Sequence, residues 1–598
     1  MFQSFDTSAD PSNGPARLTA LRAAMQEAGV DGFLVPKADA HQGEYVAPRD
    51  DRLAWLTGFT GSAGFACILQ DIAGVFVDGR YRLQVRDQVA DVFTPVDWPE
   101  VQLGDWVKEK LPSGSLAFDP WLHTVDQVEQ LSKTLQGHDI ALTASSNLID
   151  AVWDDQPAAP QAPAFVQPID FAGETHEEKR KRLGESLRAN GCASTVITLP
   201  DSICWLLNIR GADIPRNPVM QAFAVLHSDG KVDLFVDPIK VADLADHFGP
   251  DVSVFAPDTF IDRLGGLHGP VLLDKSSAPM AIASILAAKG IDISYGADPF
   301  AMPKACKNAA ELDGTTVAHL RDGAAMVNFL AWFDAHSESG ISEIDVAKKL
   351  EGYRQATGAL RDISFDSIVG TGPHGAVIHY RVTHNTARVL QSGEIMVLDS
   401  GGQYVDGTTD ITRTLPIGPV GEEEKRAFTL VLKGMINVSE LRWPAGLAGR
   451  DLEAVGRVPL WQAGLDFDHG LGHGVGVYLC VHEGPQRLSK VSDVPLEPGM
   501  ILSNEPGYYK PGAFGIRIEN LVVVEKAPIL DGADSHRAML QFRTLTYAPI
   551  DRRLISAHML TQAERDWLNA YHQDCYDKLV DRIDDEAKAW LTQATKPL

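Results

Sequence analysis

Five acidic and histidine side chains in the C-terminal half of the chain could bind metal ions. They lie in segments that are otherwise apolar or rich in glycine, and they are Asp399, Asp410, His473, Glu505 and Glu519. Burying several unpaired carboxylates is prohibitively costly, so each must be ion-paired, hydrogen-bonded or bound to a cation. Any one of these acids, taken alone, could be a solvated or salt-bridged carboxylate. The five together, in such contexts, favour a metal site.

The types of donor indicate which metal chemistry to expect. One imidazole and four carboxylates form a hard, oxygen-rich set, which suits two bridged divalent ions such as Mn²⁺ and fits a thiolate-type zinc site poorly. Two such ions about 3.5–4 Å apart can hold and activate one water molecule. The pattern therefore favours a site that activates water.

The spacing of the two aspartates leaves their convergence open. If Asp406-Gly407 were a two-residue hairpin turn, Asp399 would face Thr414, and roughly 13 Å would separate it from Asp410 along the sheet. That distance is too long for a shared metal pair. Either the turn lies elsewhere, or Gly401-Gly402 forms a bulge that shortens the gap.

Glu519 lies in a segment with the pattern of a strand. In Gly-Ile-Arg-Ile-Glu-Asn-Leu-Val-Val-Val, the period of two predicts that Arg517 and Glu519 share one face. Ile516 and Ile518 would point to the other face. The sequence thus predicts a charged pair at the site with an apolar layer behind it.

A glycine-rich segment could be mistaken for a dinucleotide-binding motif. Gly370–Gly375 fits G-x-G-x-x-G, but the motif binds a pyrophosphate only where a helix begins. The run that follows, Ala376–Tyr380, is typical of a strand, so we reject this interpretation. The sequence also lacks a G-x-S-x-G elbow, a Walker loop and an H-E-x-x-H helix.

A weak internal repeat precedes the acidic segments. Arg17–Lys37 and Lys181–Asp201 each combine an amphipathic helix, a glycine and a short apolar run that ends at proline. Trp55–Gly61 and Trp205–Gly211 also resemble each other. Between the copies, Gln156–Pro168 contains four prolines and reads as an extended linker. We therefore predict two related α/β domains in tandem.

The rest of the chain divides into a helix, a strand-rich region and a helical tail. Glu311–His336 has helical periodicity, residues 363–524 contain short strand-like runs, and Thr561-Gln-Ala-Glu564 is a capping box at a helix start. The predicted fold class is α/β (α+β). The expected domains are residues 1–158, 168–304 and 305–598, the last with a helical tail from about residue 556.

Composition excludes several classes of protein. The 598 residues carry 53 Lys+Arg against 80 Asp+Glu, a formal charge of −27, which argues against binding nucleic acid or an anionic membrane. The six cysteines form no C-x-x-C pair, so neither a disulfide framework nor a thiolate zinc site is indicated. No apolar run approaches the roughly 18 residues of a membrane span. The expected location is the cytoplasm.

The five candidate ligands resemble the metal-binding set of the pita-bread metallopeptidases, which include methionine aminopeptidase, prolidase and aminopeptidase P. The resemblance covers essentially the whole chain, through segments similar to those of the long, three-domain cytosolic aminopeptidase P: Asp39–Tyr45, Trp55–Gly64, Asp78–Tyr81, Trp205–Gly211 and the tail after Thr561. It implies two creatinase-type N-terminal domains before a pita-bread catalytic domain. It also implies removal of an N-terminal residue that precedes proline, and this specificity comes from the resemblance alone.

The resemblance further implies a role for individual residues. Asp399 and Glu519 would bridge two Mn²⁺ ions, with Zn²⁺ or Co²⁺ as alternatives. Asp410 would complete one metal site, and His473 with Glu505 the other. Glu505 would also accept a proton from the attacking water. The remaining catalytic positions would be His379, His469, His482, Arg517 and Tyr509.

Other implications of the resemblance concern the N-terminal region, the assembly and the substrates. Glu44 matches an acid thought to approach the active site in the long form, and a homodimer is the family tendency. Expected substrates are peptides with proline at the second position. Two alternatives remain open: a prolidase-type Xaa-Pro dipeptidase, and a non-catalytic pita-bread scaffold that binds protein.

Overall fold

A computed structural model of the chain describes residues 1–7, 9–534 and 536–598. The chain divides into two compact units, Ser8–Ala301 and a second one made of Met1–Thr7 with Met302–Leu598. Among the described residues, no helix combines the length and the apolar character that crossing a membrane requires.

The N-terminal unit contains two α/β repeats. The first has strands β1 (Gly32–Pro36), β2 (Phe65–Leu69), β3 (Ala73–Val77), β4 (Thr94–Asp97), β5 (Ser113–Phe118) and β6 (Asp139–Ala144), with helices α1 (Gly14–Glu27), α2 (Arg52–Thr57), α3 (Arg82–Gln88), α4 (Leu103–Lys110) and α5 (Val125–Leu135). The second has strands β7 (Phe165–Val166), β8 (Ser194–Ile197), β9 (Ile209–Arg210), β10 (Phe223–His227), β11 (Val232–Phe235), β12 (Val252–Phe255), β13 (Val271–Leu273) and β14 (Ile293–Tyr295). Its helices are α6 (Ile169–Ala172), α7 (His176–Ala189), α8 (Pro200–Leu206), α9 (Ala245–Phe248), α10 (Phe260–Leu264) and α11 (Met280–Ala288).

The two repeats have the same sheet topology. The strand orders are β4-β3-β2-β1-β5-β6 and β12-β11-β10-β8-β13-β14, with matching parallel and antiparallel pairs. Gly29 and Gly191 follow α1 and α7 with φ of 69° and 73°, a conformation that favours glycine just after a helix. The predicted tandem repeat is confirmed.

The segment between the repeats is largely extended. Residues 157–164 contain no helix or strand, and the two-residue strand β7 pairs with β9 at the edge of the second repeat. The prolines therefore keep this stretch out of a central strand, as the composition predicts.

The first seven residues pack with the C-terminal unit, whereas the expected first domain began at residue 1. The backbone N–H of Phe2 donates to the Glu351 carboxylate at 2.6 Å, and the Gln3 side chain donates to the Ser367 carbonyl at 3.3 Å. Phe5 is 4% exposed in an apolar core of this unit. Burial of that ring accounts for the difference.

The C-terminal unit mixes long helices with short strands. Its helices are α12 (Ala301–Ala305), α13 (Ala309–His336), α14 (Glu343–Ala356), α15 (Glu422–Ser439), α16 (Gly449–Trp461), α17 (Gln562–Leu579) and α18 (Asp585–Ala594). Its strands are β15 (Asp362–Ile363), β16 (Ile368–Thr371), β17 (Ile395–Ser400), β18 (Gly402–Tyr404), β19 (Gly407–Thr408), β20 (Ile411–Pro416), β21 (Arg442–Pro444), β22 (Gly472–Gly474), β23 (Glu483–Leu488), β24 (Ile501–Asn504), β25 (Gly507–Lys510), β26 (Phe514–Arg517), β27 (Asn520–Lys526) and β28 (Met539–Thr544).

Two sheets of this unit carry the candidate ligands. One has the strand order β16-β17-β20, and the other has β21-β28-β27-β24-β22-β23. Apolar side chains of α15 and α16 share a buried core with the second sheet, including Met435, Leu452, Leu502 and Val522. The helices thus support the strands from which the polar side chains project.

The predicted helices at both ends of this unit are present. Asn308 caps α13 with Glu311 in a capping box, and Thr561 caps α17 with Glu564 in the same way. One face of α17 belongs to the core of this unit, because its apolar side chains Tyr571, Cys575 and Leu579 are buried.

Candidate active site

Asp399 and Asp410 lie on one face of the hairpin formed by β17 and β20. Asp399 pairs with Thr412, not with Thr414, because the turn is at residues 405 and 406, one position earlier than the turn considered from sequence. Asp410 is therefore only two residues from Thr412, the strand partner of Asp399. Diagonal neighbours of this kind on one face of an antiparallel pair lie about 7–8 Å apart. Of the two explanations left open, the displaced turn is correct.

The other three donors come from separate segments, on or next to strands. His473 lies on β22, Glu505 directly follows β24, and Glu519 lies between β26 and β27. His473 Nε2 is 3.5 Å from an Asp410 oxygen and 3.4 Å from a Glu505 oxygen. One ligand atom from each of Asp410, His473 and Glu519 lies within 4.8 Å of the other two. The structure thus gathers donors that are more than 100 residues apart in the sequence.

Three carboxylate oxygens in this cluster have no donor among the described residues. They are Asp399 Oδ1, Asp410 Oδ1 and Glu519 Oε1, and all are buried. A buried acceptor without a partner costs about 1–3 kcal/mol, and more when it is charged. Cations that take oxygen ligands would satisfy all three atoms, so the residues present fit the expected divalent ions.

The charges of the cluster repel one another. Burial, followed by the charges of Asp399 and Glu505, raises the pKa of Asp410 well above its usual range. Burial, followed by the charges of Asp410 and Glu505, does the same to the pKa of Glu519. A cation would offset this repulsion and favour the ionised carboxylates.

Arg517 connects the cluster to two more of the candidate residues. Its guanidinium donates to Asp399 Oδ2 at 2.6 Å and to the hydroxyl of Tyr509 at 2.7 Å. The Tyr509 hydroxyl is in turn 2.9 Å from His469 Nε2. Burial raises the pKa of Tyr509 to about 12, so its hydroxyl stays protonated at neutral pH. One continuous hydrogen-bond network therefore joins Asp399, Arg517, Tyr509 and His469.

The two remaining candidate histidines approach the cluster differently. The His482 ring lies edge-on to the His473 ring, with centroids 4.3 Å apart. His379 is half-buried in the turn after a short 3₁₀ helix, Gly372–Ala376. The carbonyl of Ile378, the preceding residue, accepts a hydrogen bond from Arg517 at 3.3 Å. Both histidines are thus linked to the site through residues already placed there.

Glu44 belongs to the N-terminal unit. There it accepts a hydrogen bond from the Ser62 hydroxyl at 2.7 Å. Its approach to an active site stays a prediction.

Two hydroxyl residues that the sequence patterns above did not indicate connect the candidate ligands. Thr412 donates to Glu519 at 2.7 Å and accepts from Arg517 at 3.3 Å. Ser503 donates to Glu505 at 2.9 Å and accepts from the backbone N–H of His473 at 2.9 Å. Each lies two residues from a candidate ligand, Asp410 or Glu505, and the period of a strand could have identified both.

Two local predictions were wrong. The strand expected to run through Glu519 is interrupted, since β26 ends at Arg517 and β27 begins at Asn520. The backbone N–H of Glu519 instead donates to the Thr412 carbonyl at 3.1 Å. Ala376–Tyr380, expected as a strand-like run, ends the 3₁₀ helix and continues as a turn. This single 3₁₀ turn still provides no helix N-terminus of the kind that a dinucleotide requires.

Comparison with known proteins assigns the family. The profile of metallopeptidase family M24 matches residues 313–526, and that of the C-terminal region of peptidase M24 matches residues 538–598. Two creatinase/prolidase N-terminal domain profiles match residues 17–152 and 155–311. A probable Xaa-Pro aminopeptidase P of Laccaria bicolor is 37% identical over 98% of this chain and 94% of its own length. The chain belongs to metallopeptidase family M24.

Other members of the family are similar to this chain over nearly its full length. A probable Xaa-Pro aminopeptidase P of Aspergillus niger is 37% identical over 97% of this chain and 98% of its own length. The crystal structure of an X-prolyl aminopeptidase from Caenorhabditis elegans, described as a cytosolic enzyme with a di-nuclear active site, matches with a TM-score of 0.93. It is 31% identical and covers 98% of this chain and 100% of its own. The predicted fold class, creatinase-type domains followed by an M24 catalytic domain, is confirmed.

Proposed function

We propose that this M24 metallopeptidase is an Xaa-Pro aminopeptidase, which hydrolyses the bond between an N-terminal residue and a following proline. The observation that carries the proposal is the cluster of Asp399, Asp410, His473, Glu505 and Glu519, in which three buried carboxylate oxygens lack a donor among the described residues. The relatives with Xaa-Pro aminopeptidase names match over nearly the whole chain, both N-terminal repeats included.

The cluster is suited to hold two divalent ions. Asp399 and Glu519 would be shared by both ions, Asp410 would hold one ion, and His473 with Glu505 would hold the other. Divalent ions held there would supply Lewis-acid chemistry, which polarises a carbonyl and lowers the pKa of a bound water molecule. Hard oxygen donors support Mn²⁺ as the physiological metal, ahead of Zn²⁺ or Co²⁺.

The protein's own groups orient the substrate and move the proton. Glu505, which Ser503 holds by a hydrogen bond, accepts the proton from the attacking water. His379 and His482 donate hydrogen bonds to the substrate carbonyl and to the oxyanion that forms from it. Arg517 orients the Asp399 carboxylate by a hydrogen bond, and its bond to Tyr509 extends that support to His469.

A peptide assay combined with metal analysis tests the proposal. Purified protein should contain up to two equivalents of divalent metal and should release arginine from Arg-Pro-Pro. Cleavage of Gly-Pro but not of Arg-Pro-Pro would instead assign a dipeptidase. Absence of both stoichiometric metal and turnover would leave a binding scaffold. Turnover that persists after complete metal removal would refute the scheme.

Four further properties belong to the same proposal. The Caenorhabditis elegans relative, described as a cytosolic enzyme, supports a location in the cytoplasm, to be tested by fractionation. A homodimer is proposed on the family resemblance alone and is to be tested by light scattering. Peptides with proline at the second position are the proposed partners. We propose domain limits of 1–158, 168–304 and 305–598, with the reservation that Met1–Thr7 pack in the last of these.

A further inference from the structure

A buried cluster of three charged side chains lies beside the candidate active site. Glu483 is fully buried, with its carboxylate 2.5 Å from the Lys307 ammonium and 3.3 Å from the Lys304 ammonium. The two lysine side chains are 1% and 4% exposed. Lys307 also donates to the Lys304 carbonyl at 2.6 Å. None of these groups has a part in the reaction described above.

Stability alone does not account for this cluster. Removing two ammonium groups and a carboxylate from water costs several kcal/mol per ion, and apolar replacements of buried ion pairs are often neutral or stabilising. Two cations and one anion also leave a net charge of +1. The geometry around Glu483 suggests what the cluster does.

Glu483 is the first residue of β23 and directly follows His482. It pairs with Gly474 on β22, the residue after His473, at a point where the register shifts. A Cβ on Gly474 would lie 2.2 Å from the Glu483 carbonyl oxygen, and one on Gly476 would lie 2.8 Å from the carboxylate. The backbone next to both histidines is therefore packed without spare room around Glu483.

We infer that Glu483, held by Lys304 and Lys307, is a positioning residue that fixes His482 against His473. The two rings are in edge-to-face contact at 4.3 Å, so movement of the chain at residue 483 changes their separation directly. Misplacing a catalytic group by about 1 Å can cost a factor of 10² in rate. The inference rests on the proposed function in that His482 is the group whose placement matters for peptide hydrolysis.

The test uses a variant with unchanged net charge. Glu483→Gln alone leaves two buried ammonium groups without a counter-ion and is expected to destabilise the unit. The double variant Lys304→Met/Glu483→Gln breaks both ion pairs and keeps the cluster at +1. It should lower kcat for Arg-Pro-Pro about tenfold or more, with KM within about twofold of the parent value. Lys433→Met, which breaks the Lys433–Glu564 ion pair elsewhere in the unit, is the matched control and should keep kcat.

A double-mutant cycle separates positioning from general damage. If the cluster acts through His482, the same double substitution should change kcat less than about twofold in a His482→Gln background. An equal loss in both backgrounds would overturn the inference, as would an unchanged kcat in the charge-matched variant.

A crystal structure of the charge-matched variant gives a readout that does not depend on activity. The His473–His482 separation should increase from 4.3 Å, or the His482 ring should become disordered. If the parent protein cleaves no Xaa-Pro peptide, the proposed function fails, and this structural readout still decides the inference. An unmoved His482 would then contradict it.

Discussion

Replacing Asp410 by asparagine should affect the metal-free and metal-loaded proteins in opposite directions. In the metal-free protein, burial and the charges of Asp399 and Glu505 raise the pKa of Asp410. A carboxyl with a raised folded-state pKa contributes stability that is present below its unfolded pKa of about 4 and is lost as pH rises through the folded value. Asparagine does not titrate, so metal-free Asp410→Asn should be more stable than the metal-free parent at pH 8, and the difference should shrink towards pH 4.

Bound metal should reverse the order of stability, so that the parent becomes more stable than Asp410→Asn. An ion at 100 times its dissociation constant stabilises the parent by about 2.7 kcal/mol, which corresponds to roughly 4 °C in the melting temperature of the C-terminal unit. Asp410→Asn lacks a charged ligand and should gain little from the same addition. Differential scanning calorimetry with and without Mn²⁺, at pH 4 to 8, measures both effects. The exposed Asp493→Asn serves as the matched control. A metal-free variant less stable than its parent at pH 8, with no Mn²⁺ shift in the parent, would refute the reasoning.

Three further substitutions have defined outcomes. Arg517→Met leaves Asp399 without its buried partner and should lower the unfolding free energy of metal-free protein by about 3–5 kcal/mol in urea titrations; a change below 1 kcal/mol would contradict this. The Glu343 carboxylate accepts hydrogen bonds from residues on both sides of His379 and so positions that histidine. Glu343→Gln should therefore reduce kcat in peptide assays about tenfold. A loss confined to KM would exclude this positioning role. Burial, with nearby arginines, lowers the pKa of His572 to about 3. As the pH is lowered below 6.5, the free energy of unfolding should therefore fall by up to about 1.4 kcal/mol for each pH unit. His572→Gln should remove that slope in acid-denaturation curves, and an unchanged slope would show that another group causes it.

Local patterns in the sequence were sufficient for the repeats and the long helices, and they indicated candidate donor residues, several of which the structure brings together. Each depends on signals within about 30 residues: a glycine after a helix, a capping box, or a carboxylate at the end of an apolar strand. Asp399 illustrates this, because the run before it predicts a buried strand that ends at the site, and β17 has those limits within one residue.

The pairing register could not be obtained in the same way. Moving the turn by a single residue changes the partner of Asp399 from Thr414 to Thr412 and brings Asp410 within reach. Sequence alone does not resolve such a shift, because flanking residues fit either register. The break at Ile518–Glu519 has a similar origin, since the Glu519 backbone bonds to Thr412, more than 100 positions away. A local pattern in the sequence contains no information about that non-local hydrogen bond.

The packing of Met1–Thr7 makes residues 8–301 a long insertion within the C-terminal unit. A fragment starting at residue 302 would lack Phe5, whose place among buried apolar side chains would become a cavity. Truncating a buried phenylalanine to alanine typically costs about 3–5 kcal/mol, a large share of the stability of an ordinary domain. During synthesis, nearly 300 residues are therefore added after the first seven before the residues that they pack against are made. The core around Phe5 can form only after the chain on both sides of the insertion has been synthesised.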